Sequence, residues 1–276
     1  MSDTTNPQPS RPLGAIILAA GKGTRMGSDL PKVMHEIGGE PMVRHVVGAC
    51  VDAGCDRVVI VVGGGDTLVR DALANFAPAV EFAVQHEQLG TGHAVMCARE
   101  HFQASGRVDQ ADVFVLCGDG PLIRAATLET LLDRHRSTGA AATLATSVIE
   151  DPTGYGRVIR DDAGRFVEIV EHALCTPAQA AIREVNPSYY CFDAPALFHT
   201  LDRLERNEVS GELYVTDVPR ILVDDGRAVE IVEAVPPEDV LSINTVGELA
   251  AVDEVFRRRR AAGAPTEVRR IGGGDR

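Results

Sequence analysis

Lysine is almost missing from this 276-residue chain: it occurs only at Lys22 and Lys32, and every other basic side chain is arginine. Basic charge is also outnumbered, with a formal net charge of −13. Such a balance argues against a general nucleic-acid binder, which needs a positive field to meet the phosphate backbone. No apolar run approaches the roughly 18 residues that would span a membrane. No cysteine pair has C-x-x-C spacing, and neither the six cysteines nor the eight histidines fall at zinc-ligand spacing. The cysteines read as small buried residues in a reducing, cytoplasmic setting. There is no hexapeptide repeat of the β-helix kind. The G-x-x-x-x-G-K-[ST] phosphate loop is absent, and Gly21, Gly23 and Gly27 form a G-x-G-x-x-x-G one residue too long for a dinucleotide fingerprint.

What is present is concentrated. Both lysines lie in Gly21–Lys32 (GKGTRMGSDLPK), directly after the apolar run Ala15–Ala20 (AIILAA). That run predicts a buried parallel strand. A glycine-rich turn leaving it, with two lysines and Arg25, suits a loop that wraps phosphates: backbone N–H groups can approach the anion and the cations neutralise it. On an acidic protein, phosphate binding has to be local.

The first half alternates strands and helices. Helices are expected over Met42–Val51, Asp66–Asn75, from Thr91 or Gly92 to about Phe102, and around Leu128–His135. Strands are expected at Arg57–Val62, Val80–Val84 and Asp112–Cys117. This order predicts an α/β fold with a mostly parallel, Rossmann-like sheet flanked by helices, its ligands beyond the carboxyl ends of the strands. The glycine loop and Asp119 both fall there. The second half reads as strands at Ala141–Val148, Arg157–Arg160, Phe166–Val170 and Val185–Phe192, expected to form an antiparallel extension capping the sheet. Helices at Ala194–Leu204 and Thr216–Val223, a strand at Ala228–Val235 and a helix from Val246 to about Arg260 complete it. Residues 1–12 are expected to be a disordered leader, 13–262 one domain, and 263–276 a flexible tail. The four arginines at 257–260 complement a helix C-terminus.

Taken in order, LAAGKGTRM (Leu18–Met26), LPKVMH (Leu30–His35), EQLGTGHAV (Glu87–Val95), GDGPLI (Gly118–Ile123), TGYGRVIR (Thr153–Arg160), IVEH (Ile169–His172) and GELYVTD (Gly211–Asp217) resemble one family. It is the nucleotidyltransferase domain of the N-acetylglucosamine-1-phosphate uridylyltransferases. The likeness covers roughly residues 13 to 260. It implies a nucleotide-diphospho-sugar transferase fold, with the antiparallel extension over the sugar site. The implied reaction joins UTP to N-acetylglucosamine 1-phosphate with Mg²⁺ and releases pyrophosphate.

The resemblance also implies roles. Arg25 would fork the leaving pyrophosphate, Lys32 would stand as a point charge at the α-phosphate, and Lys22 would lie on the triphosphate loop. Asp119 and Asn244 would hold Mg²⁺, a hard cation that prefers oxygen ligands. Gly-Asp-Gly-Pro is also good turn chemistry, and a helix cap is the alternative for either residue. Leu18, Ala19, Ala20, Gly21, Gln85, Gly90 and Thr91 match positions that hold the uridine part, with Gln85 reading uracil through its amide edge. Cys117 and Gly118 join the substrate-binding set. Gly156, Glu171 and Asn186 match residues that contact the sugar. His86, His93 and His172 flank these motifs and are expected behind the contacts or at the surface, since an anionic nucleophile needs no base. Tyr189 and Tyr190 are expected to pack as strand residues.

Three departures fall on the sugar side: Ala173 where the family has lysine, and Pro187 and Ser188 where it has threonine and glycine. They leave open a nucleotidyltransferase for another hexose 1-phosphate. A catalytically silent sugar-nucleotide sensor is the reading from a different class. The family's β-helix acetyltransferase domain has no counterpart in the sequence, so no acetyl transfer is expected, and the oligomeric state is left open.

Overall fold

The computed structural model describes residues 11–262, apart from Lys22, Thr24, Arg25, residues 77–79, residues 104–109 and Asn244. The expected tail (263–276) and all but Arg11 and Pro12 of the expected leader lie outside the described residues. Those two are tied down: Arg11 pairs with Asp112 (3.1 Å) and Asp193 (2.7 Å), and the Pro12 carbonyl accepts from the Asp112 N–H.

Strand β1 (Leu13–Leu18) is followed by a small hairpin, β2 (Glu36–Ile37) and β3 (Glu40–Pro41), and by helix α1 (Met42–Asp52). Next come β4 (Arg57–Gly63), α2 (Leu68–Ala72), β5 (Val80–Gln85), α3 (Thr91–Cys97), α4 (Arg99–Gln103), β6 (Asp112–Cys117) and α5 (Ala125–Thr138). The second half contributes β7 (Ala142–Val148), β8 (Gly156–Arg160), β9 (Phe166–Val170), α6 (Pro177–Ala180), β10 (Glu184–Asp193), α7 (Ala194–Leu201), α8 (Asp217–Asp224), β11 (Val229–Glu233) and α9 (Val246–Ala261).

The main sheet runs β11-β7-β10-β6-β1-β4-β5, and every strand on that path except β10 points the same way. Period-two alternation divides the core between its faces. Ala15, Ile17, Val58, Ile60 and Val62 pack on the side of α1 and α5. Ile16, Val59 and Val61 pack on the side of α3, α7 and α8. A third cluster, with Met26, Met42, Ile243 and Phe256, fastens α9 beside the first loop. Burying Phe256 contributes about 1.5–3 kcal/mol. Helix α9 opens on a reciprocal capping box, Thr245 with Glu248. Its terminal arginines pair with acids, Arg258 with Glu238 at 2.6 Å and Arg259 with buried Asp239.

The expected antiparallel extension is present: β10 runs against β6 and β7, and β8 and β9 form an antiparallel hairpin. Three details differ from expectation. Strands β7, β10 and β11 extend the main sheet, β7 and β11 pair in parallel, and only the β8–β9 hairpin projects from it. Hairpin signals in a sequence report pairing between neighbours, whereas β7 and β11 are joined across some eighty residues that leave no local trace. The expected helix over 66–75 reduces to α2 with a 3-10 turn at Ala74–Phe76. The helix expected to run from Thr91 to Phe102 divides at Ala98 into α3 and α4, where Arg99 turns to the Phe198 carbonyl and Asp202. Among the described residues no helix is long and apolar enough to cross a membrane.

Candidate active site

The carboxyl ends of β1, β5 and β6 open into one cleft, and close backbone packing makes its floor. The Gly118 N–H donates to the Leu18 carbonyl (2.9 Å), and a Cβ on Gly118 would stand 3.0 Å from that oxygen and 3.1 Å from Val33. Glycine is what lets β6 turn off its strand here and present Asp119. In the first loop, Gly23 has φ +62°, and a Cβ there would lie 2.9 Å from that of Lys32. The loop thereby folds onto the stem of Lys32, whose ammonium makes an ion pair with the Asp119 carboxylate. Lys22 and Arg25, the other expected phosphate cations, lie outside the described residues.

A cavity of about 260 Å³ is lined by Leu18, Ala20, Gly21, Lys32, Gln85, Gly90, Thr91, Cys117 and Asp119. Nine of the expected site residues therefore meet in one place. Ala19 instead points into the core, and its N–H donates to the Val61 carbonyl at 2.8 Å. Gly90 has φ +107°, and a Cβ on it would fall 2.5 Å from the Leu213 carbonyl oxygen. The 213 segment seals this end by accepting from the Gly92 N–H (2.8 Å) and donating to the Leu89 carbonyl (2.8 Å).

A second cavity of about 180 Å³ adjoins the first, sharing Leu18, Thr91 and Cys117 with it. Glu171, Ser188, Tyr190, Tyr214 and Thr216 also border it. The Glu171 carboxyl accepts from the Thr216 hydroxyl (2.9 Å), and burial pushes its pKa above the ordinary carboxylate value. Burial, reinforced by nearby Asp119, drives the Cys117 thiol up to about 12, so it is a neutral apolar wall and not a nucleophile.

Two expected sugar contacts stand behind this lobe and do not border it. Asn186 is spent on the strand: its Nδ2 donates to the Tyr190 hydroxyl (2.6 Å) and its Oδ1 accepts from the Ser188 N–H (3.2 Å). Gly156 pairs with Asn186 across β8 and β10, where a Cβ would fall 2.9 Å from Ile169. A bulge between Val185 and Tyr189 makes the difference. It adds residues to one strand, re-aims their side chains, and brings Ser188 and Tyr190 to the lobe. Ser188 holds φ +64°, alone among the described non-glycine residues in the left-handed region.

Asp119 supplies a carboxylate at the cavity wall, which fits Mg²⁺, an ion commonly held by one or two carboxylates plus substrate phosphates. The Ile243 N–H approaches the Asp119 carbonyl (3.4 Å), and Asn244, the expected second ligand, lies outside the described residues. Among the described residues no larger group of His, Cys, Asp or Glu side chains gathers as a metal centre.

Sequence reasoning assigned no role to Gln88, whose amide donates to the Ala20 carbonyl (2.6 Å), nor to Glu212 and Thr216. The last two lie inside GELYVTD, so the motif flagged the segment without saying which side chains turn inward. Tyr190 packs in its strand as expected and also borders the second cavity. His93 touches Gln85.

Residues 15–212 match the family model of the MobA-like NTP transferase domain. The "Bifunctional protein GlmU" of Desulfotalea psychrophila is 44% identical over 249 residues, 90% of this chain and 72% of that protein. Its counterpart from Heliobacterium modesticaldum is 44% identical over 245 residues, 89% of this chain and 52% of that protein, so the chain spans about half of the longer relative. In fold, the chain is similar to a UDP-glucose pyrophosphorylase complexed with UDP-glucose. The TM-score is 0.72 at 16% identity, with 90% of this chain and 100% of the other covered.

Proposed function

This chain belongs to the MobA-like NTP transferase family, with GlmU proteins among its relatives, and from that premise we propose that it transfers a uridylyl group from UTP to N-acetylglucosamine 1-phosphate. The observation that carries the reading is the junction of the two cavities. They share a wall at Leu18, Thr91 and Cys117, and the Lys32–Asp119 pair stands beside it. One lobe suits a nucleotide and the other a polyhydroxyl ring, so their phosphates would meet at that pair.

The chemistry asks little covalent work of the protein. A phosphate oxygen of the sugar 1-phosphate, already an anion, attacks the α-phosphorus of UTP, the P–O bond to the β-phosphate breaks, and pyrophosphate carries the electron pair away. Holding two anions together and neutralising the charge that grows is the catalytic task. Lys32 serves as a compact cation at the reacting phosphate. Gly90 and Gln85 receive the base, where a side chain at residue 90 would collide with Leu213. Glu171, held by Thr216, accepts from sugar hydroxyl or amide groups. Mg²⁺, when bound by Asp119 and the substrate phosphates, would supply further charge neutralisation.

The test is a pyrophosphate-release assay crossing UTP, dTTP, CTP and GTP with several sugar phosphates, with and without Mg²⁺. The reading expects Mg²⁺-dependent release with UTP and N-acetylglucosamine 1-phosphate foremost. A large preference for glucose 1-phosphate would replace the sugar, and nucleotide binding without pyrophosphate release would make the protein a sensor.

A further inference from the structure

Gln85, buried at the end of β5, has its Nε2 atom 3.1 Å from the Gly90 carbonyl oxygen and 3.1 Å from Nδ1 of His93 on α3. A carbonyl oxygen can only accept, so the NH₂ end of the amide must face Gly90, which settles the orientation of the side chain. That carbonyl has little freedom to turn away, because it also accepts from the Ala94 N–H (3.1 Å) and its residue is pressed against Leu213. The second N–H of the same NH₂ meets His93 Nδ1. A hydrogen bond forms there only if Nδ1 carries a lone pair, which puts the ring proton on Nε2. Both Gln85 donors are then engaged, and its carbonyl oxygen is the group left to offer a ligand in the cavity it lines.

We infer that His93 is a positioning residue for nucleobase selection: its neutral, Nε2-protonated ring locks the Gln85 amide so that the carbonyl oxygen faces the base. Uracil presents N3–H and is accepted. Cytosine presents a lone pair at N3, so two acceptors would face each other and the base is rejected. This inference rests on reading the cleft as a UTP site.

The decisive experiment combines spectroscopy on the wild type with kinetics on two variants. Long-range proton–nitrogen NMR of the free protein should place Nδ1 of His93 in the unprotonated class and Nε2 in the protonated class. His93→Phe keeps ring bulk and removes the acceptor. It should raise KM for UTP about tenfold with kcat within about twofold, and lower the UTP-over-CTP ratio of kcat/KM about tenfold, as a buried N–H left unpaired requires. His93→Asn carries an acceptor oxygen near the place of Nδ1 and should recover most of that ratio. A proton on Nδ1 overturns the inference, as does a Phe variant with the wild-type ratio. If the Phe variant does not fold, the tautomer and the Asn variant still decide. A wild type that uses UTP separates a failure at His93 from a failure of the cleft reading, because a wild type indifferent to UTP overturns both.

Discussion

The wall of the lobe around Gln85 and Gly90 includes four small residues, Ala20, Gly21, Gly90 and Ala94. The lobe around Glu171 and Ser188 has neither glycine nor alanine, and takes Glu171, Ser188, Tyr190 and Thr216 from β10 and from the segments after β9 and before α8. At Gly90 the requirement is spatial: nothing larger than hydrogen fits against Leu213. At Glu171, Tyr190 and Thr216 it is chemical, and the partners are hydroxyls and a carboxyl that other side chains could imitate. A wall that depends on a glycine with no room for a Cβ constrains its sequence tightly, whereas one built from hydroxyls and a carboxyl tolerates change. Pro187 and Ser188, which depart from the pattern of the resembling family, fall at the bulge beside the second lobe, and Ala173 is exposed just beyond β9.

The comparison can be broken at the junction first. Lys32→Arg should lower kcat about 100-fold, because a planar guanidinium cannot take the place of a point charge beside Asp119, and Lys22→Arg should cost far less. Equal, small losses in steady-state assays would remove Lys32 from the reaction centre. Within the lobe around Gln85, Gly90→Ala should raise KM for UTP at least about tenfold. It should also destabilise the protein by about 1–3 kcal/mol in denaturant titrations, since residue 90 has positive φ and no room for a Cβ.

Glu171→Gln should separate binding from stability. KM for the sugar phosphate should rise about tenfold with KM for UTP unchanged. The folded pKa of Glu171 lies above its unfolded value, so the proton favours the fold: that contribution is complete below the unfolded pKa and is lost as pH rises through the raised one. The amide variant should therefore melt slightly higher than wild type near neutral pH and no higher in acid. Ser188→Gly carries the smallest effect. Releasing a non-glycine residue from φ +64° should stabilise by about 1 kcal/mol, with only a severalfold change in KM for the sugar phosphate. A loss of stability there would show that Ser188 is held without strain.

The same contrast explains what could be read from the sequence. The runs at Ala15–Leu18, Val58–Val62 and Val113–Cys117 are apolar throughout because both faces of the sheet are covered, and the glycine turn and Asp119 follow from the ends of the first and third. The hairpin around Asp161–Gly164 carried its own turn chemistry. By contrast, the parallel pairing of β7 with β11 is set by tertiary packing alone. The β10 bulge is the other case. Asn186 matches a sugar-contacting position by motif, yet in space its amide is bonded to Tyr190 and Ser188, and those neighbours reach the lobe instead. Spacing along a chain locates a strand; it does not say which way a bulge turns its side chains.

The central claim is that both lobes serve one reaction at the Lys32–Asp119 pair. It is tested most directly by pyrophosphate release from UTP and N-acetylglucosamine 1-phosphate, measured with Mg²⁺ for the wild type and for Asp119→Ala. The account predicts turnover by the wild type and a loss of at least about 1,000-fold in the variant, with an unchanged circular dichroism spectrum. An Asp119→Ala protein that releases pyrophosphate at the wild-type rate would contradict it.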